Sequence, residues 1–389
     1  MQTETRDFLN IIKSGLLSQR EEVSGDFVLE DVIDTVSAQN VTTLFYHGLH
    51  NCGIKVSEPH KTRLLSLVAA EMAWDEKQRK MLSEIKKEFS DNGISYMILK
   101  GSVLKELYPA PEMRAMGDID ILIKLPEYEK ISVILESLGY EMWKESSHEL
   151  VWTRDGAMLE LHKILMPSYN EDFDAYFGNG WQRAKVKEKS EYRFSSEDMF
   201  IYLFVHFTKH YRDGGAGVMH LCDLYLYMKK NEIDEAYVKG ELEKLGLSEF
   251  YENVRKTLEV WFGETPETEA AEIITSSVIN HGKFGDYEDF LTAEALRSEV
   301  TAGSYAAGRV RSVLRSMFPP LETMKRRYKR LGKFPFLLPF LWITRLFRIF
   351  FTEKSRLKRK LSDVSTVSDE KVRRHDEALR KVGLSYKLK

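Results

Sequence analysis

The run Asp118-Ile119-Asp120-Ile121-Leu122-Ile123 constrains the fold more than any other stretch of the chain. Its alternation has the two-residue period of a β-strand, so Ile119, Ile121 and Ile123 point to one face and Asp118 and Asp120 to the other. The isoleucine face demands an apolar cover. The aspartate face demands a counter-charge, because two carboxylates side by side in an apolar segment repel and raise each other's pKa. A divalent cation removes that repulsion, and one or two carboxylates plus phosphate oxygens are the ligands Mg²⁺ prefers. The same repulsion predicts that Asp118→Asn or Asp120→Asn leaves the fold intact and raises the metal-free melting temperature.

Around this strand the texture is that of a small sheet set between helical regions. Residues 1–90 carry apolar positions at helical spacing, as in Leu64, Leu65, Leu67 and Val68, and Asn92-Gly93 supplies a helix stop. Tyr96 to Leu99 has strand length. A brief helix is predicted over Val103 to Leu107 and ends at Tyr108-Pro109-Ala110-Pro111. Pro126 opens a helix that Gly139 closes. Strands near 149–153 and 157–165 flank Asp155-Gly156, a two-residue hairpin signal. Residues 196–300 return to helix, broken at Gly214, Gly215 and Gly217. The fold class is therefore α+β, a small mixed β-sheet embedded between helical regions. Its divisions are expected at 1–92, 93–195, 196–318 and 319–389.

Gly101-Ser102 lies between a strand and a helix, where backbone N–H groups and the positive helix end can receive phosphate. Glu160 and His162 share a strand face, and an adjacent strand would set Glu160 opposite the aspartates. A lone Asp-x-Asp is usually a solvated sheet face and a lone Gly-Ser usually a turn. Together, and in this order, they mark a site.

Composition excludes several classes. A net charge of −3 over 389 residues gives no global attraction to nucleic acid. Two cysteines, Cys52 and Cys222, cannot build a disulfide framework and fit a reducing compartment. MQTETRDFLN lacks a secretory signal, and a cytoplasmic location is expected.

The segment resembles the DNA polymerase β-like nucleotidyltransferase superfamily in its Gly-Ser turn, Asp-x-Asp and later third carboxylate. It is most similar to a bacterial, mostly uncharacterised nucleotidyltransferase family with a helical N-terminal region. The matching residues are Lys100-Gly101, Tyr108-Pro109, Arg114, Asp118-Ile119-Asp120 and Glu160-Leu161-His162, with a further His206, Lys209-His210 and Cys222-Asp223-Leu224 run. The resemblance extends from residue 41 to the Pro-rich segment after Phe318. Two features depart from the wider superfamily: a long gap between Ser102 and Asp118, and Glu rather than Asp as the third carboxylate.

The resemblance implies two-metal transfer of a nucleotide from an NTP such as ATP. Asp118 and Asp120 would hold the Mg²⁺ or Mn²⁺ on the triphosphate, and Glu160 the second metal. Lys100, Gly101, Ser102 and Arg114 would receive the phosphates, and His162 would orient Glu160 or relay a proton. Lys209, His210 and Asp223 are candidates for triphosphate, base or substrate contact, with Asp223 equally suited to pairing across the helices. The acceptor is open: a protein, a small molecule, a glycan precursor or RNA. A catalytically silent binding partner is a rival reading.

His206 and His210, four apart on a helix, have zinc-ligand spacing but lack the zincin glutamate, the next residue being Phe207. Residues 324–360 form the one strongly basic, aromatic region. Its internal prolines and arginines argue against a membrane span. Peripheral membrane contact and nucleic-acid binding are its alternatives to packing on the fold. Packing is expected, with Phe336, Phe340, Trp342 and Phe347 buried.

Overall fold

The computed structural model describes residues 1–167, 170–280, 292–297, 334–344 and 368–386, with isolated positions 318, 321, 324, 328 and 331. The chain divides into two compact units, Met1–Tyr211 with Ala216–Phe284, and Arg212–Gly215 with Gly285–Lys389.

The first unit opens with four helices, α1 (Thr3–Leu17), α2 (Glu30–Gln39), α3 (Thr42–Cys52) and α4 (Glu58–Asp91). The first three end on a left-handed residue, Ser18, Asn40 and Gly53, which closes the last turn through its own N–H. Helix α4 buries Leu64, Val68, Met81, Ile85 and Phe89 along one stripe.

The sheet has seven strands rather than the four recognisable from sequence. They are β1 (Tyr96–Ile98), β2 (Asp118–Ile123), β3 (Glu141–Glu145), β4 (Glu149–Arg154), β5 (Ala157–His162), β6 (Lys185–Glu188) and β7 (Glu191–Arg193), in the order β3-β4-β5-β2-β1-β7-β6. Strand β2 is antiparallel to β1 and parallel to β5, so the sheet is mixed. Its isoleucines are fully buried with Leu159 and Leu161, against Met81, Ile85 and Phe89 of α4 and Ile131, Ile134 and Leu135 of α6 (Tyr128–Ser137). Asp155 and Gly156 both take positive φ, 50° and 80°, as a two-residue hairpin turn requires. The predicted short helix begins earlier than expected, as a single turn, α5 (Gly101–Leu104), followed by a 3₁₀ turn to Leu107.

After a short helix, α7 (Glu171–Phe177), the chain crosses to α8 (Ser196–Arg212) and α9 (Val218–Lys230), separated at the glycines noted above. Helices α10 (Glu235–Lys244), α11 (Ser248–Phe262) and α12 (Glu269–Asn280) complete the unit. Gln39, fully buried at the end of α2, ties three distant elements together. Its amide N–H group donates to the Val278 and Ile279 carbonyls (2.7 and 3.0 Å), and its oxygen accepts from the Val218 N–H (2.8 Å).

In the second unit the Tyr386 ring lies under the Arg212 guanidinium, and its hydroxyl sits 2.9 Å from Asp213. Phe336 and Phe340 are exposed, at 68% and 65%, so the burial expected of them is not met. Pro335 starts a 3₁₀ turn rather than a continuous helix, and the apolar stripe leaves Phe334, Phe336, Phe340 and Ile343 facing outward. Trp342 is half-buried, edge-on to Phe318. Arg345, Phe347, Arg348 and Phe350 lie outside the described residues. Among the described residues no helix is long and apolar enough to cross a membrane.

Candidate active site

The register of β2 on β5 builds the site. The pairing sets Asp120 directly beside Glu160 and Leu122 beside His162. Asp118 and Asp120 therefore occupy one face with Glu160 and His162, opposite the isoleucines buried on α4 and α6. That face lines a cavity of about 340 Å³, a volume suited to a small-molecule ligand. Lys100, Gly101, Arg114, Asp118, Asp120, Glu160, His162, Lys209, His210 and Asp223 all line it. Of the residues singled out from sequence only Ser102 does not; its hydroxyl lies 3.6 Å from the Met116 sulfur.

Asp120 is buried and held from two sides. The Lys100 ammonium donates to Oδ1 at 2.6 Å, and His162 Nε2 lies 2.7 Å from the same oxygen. Burial alone would raise this carboxyl, but the Lys100 charge and the His162 hydrogen bond reverse that and hold it well below the usual carboxylate range. Lys100 likewise stays charged against its burial because Asp120 and Asp118 face it. Glu160 goes the other way. Burial first, then the charges of Asp120 and Asp118, push it up to about 8. His162 thus orients Asp120 more closely than Glu160, which is 3.7 Å away. Burial and Lys100 lower its pKa, and its Nδ1 has no protein partner.

Lys100 takes φ 42° and ψ −119°, a backbone conformation rare for a residue with a side chain. Such strain costs about 1–3 kcal/mol and clusters where side-chain position matters. Here it turns the chain from β1 into α5 and aims the ammonium at β2.

The loop from Tyr108 to Gly117 delivers the chain to Asp118. Trp74 and Gln78 of α4 both donate to the Met116 carbonyl, at 3.1 and 3.2 Å. Lys105 and Asp75 form a buried ion pair beneath it. Arg114 makes a two-pronged bond to Asp223 of α9, Nε to Oδ1 at 3.0 Å and Nη2 to Oδ2 at 2.7 Å, and the Tyr108 hydroxyl donates to the same carboxylate at 2.8 Å. Arg114 and Asp223, both candidates for substrate contact, are thus paired with each other across the fold. A side chain at Gly101 would meet Arg114 Nη1 and Met116 Sδ at 2.6 Å. This loop covers Gly101 on the side a Cβ would occupy, and α5, a single turn, is too short to add much dipole.

The opposite wall comes from α8 and α9. Lys209 and His210 reach the cavity from α8 and are joined by His206 and His220. His148, the residue before β4, and Glu149, its first residue, also line it. Glu149, hydrogen-bonded by His148 at 2.9 Å, is lowered to about 2 despite its burial. Neither residue was legible as part of the site. Its signal was the His-Glu pair at the start of a strand, which becomes meaningful only once β4 is known to lie beside β5.

The model of a family described as "uncharacterised nucleotidyltransferase" matches residues 26–263, well over half the chain, and the chain belongs to that family. The match starts before residue 41 and stops short of the Pro-rich segment that the sequence resemblance takes in. No curated protein matches the chain significantly. A solved structure that it resembles is the solution structure of the antibiotic-resistance factor ANT(2'')-Ia, at 13% identity and a TM-score of 0.32. That likeness covers 49% of this chain and 100% of the other, and is too loose to bear on chemistry.

Proposed function

We propose that the chain moves a nucleoside monophosphate from an NTP to a hydroxyl-bearing acceptor, releasing pyrophosphate, in a divalent-metal-dependent reaction. The observation that carries this reading is the β2–β5 register, which sets Glu160 beside Asp120 on the face that Asp118 shares, at the floor of one cavity. Three hard oxygen donors on adjacent strands suit Mg²⁺ or Mn²⁺. The raised Glu160 pKa supports the same fit, since a carboxyl that keeps its proton because it is buried beside two anionic neighbours is one that a cation would ionise. Bound there, the metal would stabilise charge on the entering and leaving oxygens.

The chain's own residues would divide the remaining work. Asp118 and Asp120 would hold the ion on the triphosphate and Glu160 the one beside the acceptor hydroxyl. His162 would fix the Asp120 carboxylate. Lys100, and Lys209 from the facing helix, would answer the phosphate charge; burial holds the His210 imidazole neutral, so it would add none. Arg114 and Asp223 would act indirectly, by fixing the loop that ends at Asp118.

The test is to incubate the protein with each α-labelled NTP, ATP first, with Mg²⁺ and a cell extract, beside Asp118→Asn. Label entering one acceptor fraction, whether protein, small molecule, glycan precursor or RNA, with the wild type alone supports the reading. Equal labelling by Asp118→Asn removes it.

A further inference from the structure

Three histidines in the cavity wall have no role in the chemistry above. His206 and His210 stand one turn apart on α8, and His220 comes from the first turn of α9, beyond the glycine break. One ring nitrogen of each lies within 4.8 Å of the others. We propose that His206, His210 and His220 form a transition-metal site of the Zn²⁺ class, distinct from the carboxylates of β2 and β5.

The spacing is that of a hydrogen bond between two imidazoles, and it equally suits two ligands of one metal. Nε2 of His206 and Nε2 of His210 are 3.2 Å apart. Two nitrogens each about 2.0–2.1 Å from a tetrahedral zinc stand roughly 3.3 Å from one another. The surroundings of His220 complete the pattern. Its Nδ1 accepts from the Gly217 N–H at 3.2 Å and lies 3.3 Å from the Gly217 carbonyl oxygen, so the backbone at the start of α9 fixes the ring, whose centroid is 5.5 Å from that of His210. With a metal on Nε2 the same Nδ1 would carry the proton and turn to the Gly217 carbonyl, the kind of outer bond that orients a metal-ligating histidine.

Donor type separates the two sites. Imidazole nitrogens select zinc, cobalt, nickel or copper, whereas the carboxylates of the sheet face suit magnesium or manganese. All three histidines line the cavity, so a fourth position would face it, open to water or to a phosphate oxygen. Three histidines with one open position is a ligand set found in catalytic rather than closed structural zinc sites.

The experiment uses the full chain, stripped with a chelator and titrated with Zn²⁺ alone by calorimetry and with Co²⁺ alone by visible absorption. One equivalent should bind, and His210→Gln or His220→Gln should weaken it about 100-fold or more. Asp120→Asn and Glu160→Gln should leave it unchanged. Zinc X-ray absorption on the wild type, which depends on no variant's folding, should show about three imidazole ligands. An all-oxygen shell, loss of the ion in Asp120→Asn with retention in His220→Gln, or no binding by the wild type would each overturn the proposal.

Discussion

Asp118 and Asp120 are two residues apart, yet they answer to different physics. From their repulsion alone, replacing either was expected to be harmless or stabilising. The structure corrects this for Asp120, which is buried with Lys100 and His162 on one oxygen. Asp120→Asn strands the Lys100 charge, and breaking a buried pair from one side costs about 3–5 kcal/mol. Asp118 is half-buried at the strand's entrance, so Asp118→Asn should lose transfer while melting close to the wild type. Thermal melts of both variants in chelator check the contrast. Glu160 gives a pH signature in the same buffer. Its folded carboxyl titrates at about 8 against an ordinary 4.5, so the folded state holds the proton more tightly. The stability this lends is complete below the ordinary value and declines as pH rises toward the folded one, by at most about 1.4 kcal/mol per pH unit. Glu160→Gln should flatten that decline; an unchanged slope would show that Glu160 ionises normally. The alternation in β2 made the aspartates visible in the sequence. Lys100 as the partner of Asp120 was not, because a contact from the turn after β1 to strand β2 leaves no mark in local spacing.

At the scale of elements, the loop from Tyr108 to Gly117 is held by α4, by Gly101 and by Asp223, and it fixes where β2 begins. Arg114→Lys keeps the charge but not the planar two-pronged bond, and leaves Asp223 and Tyr108 poorly matched. We expect a loss of about 2 kcal/mol in urea unfolding, with a larger fall in turnover than in triphosphate affinity. Gly101→Ala should do less harm, since the added methyl meets the ends of the Arg114 and Met116 side chains, of which Arg114 is held by Asp223. Wild-type stability in both would mean that the loop is not so held. What could be read at this scale followed burial. Strands β1, β2, β4 and β5 have apolar runs or a hairpin signal and were recognised. Strands β3 and β6 are exposed at every residue. As edges they carry Glu and Lys rather than an apolar alternation, which protects an edge and hides it from periodicity alike. Strand β7, Glu-Tyr-Arg, has no apolar run, unlike the equally short β1.

Across the first unit, Gln39 shows that the N-terminal helices are part of the same fold as the late ones. Its side chain satisfies the last carbonyls of α12 and the first N–H of α9 from 179 and more residues away. Gln39→Leu fills the space but leaves these buried groups unpaired, at about 1–3 kcal/mol each where water cannot replace the bond. One cooperative unfolding transition shifted to lower urea is expected. An unshifted midpoint would show that the N-terminal helices contribute little to that unit. No local pattern marks such a residue, and a glutamine ending a helix reads as surface.

The ion pair between Lys100 and Asp120 has a thermodynamic consequence for the order in which ligands arrive. In the resting protein the most buried carboxylate already has its cation, so a bare divalent ion must compete with a tethered ammonium for the same oxygen. On the proposed function a metal–triphosphate complex would face no such competition, because it would bring the anion to which the displaced ammonium can turn. Ion and nucleotide would thereby be linked, each raising the protein's affinity for the other by the same factor. The resting pocket would discriminate against free Mg²⁺ and admit the ion chiefly as part of its substrate.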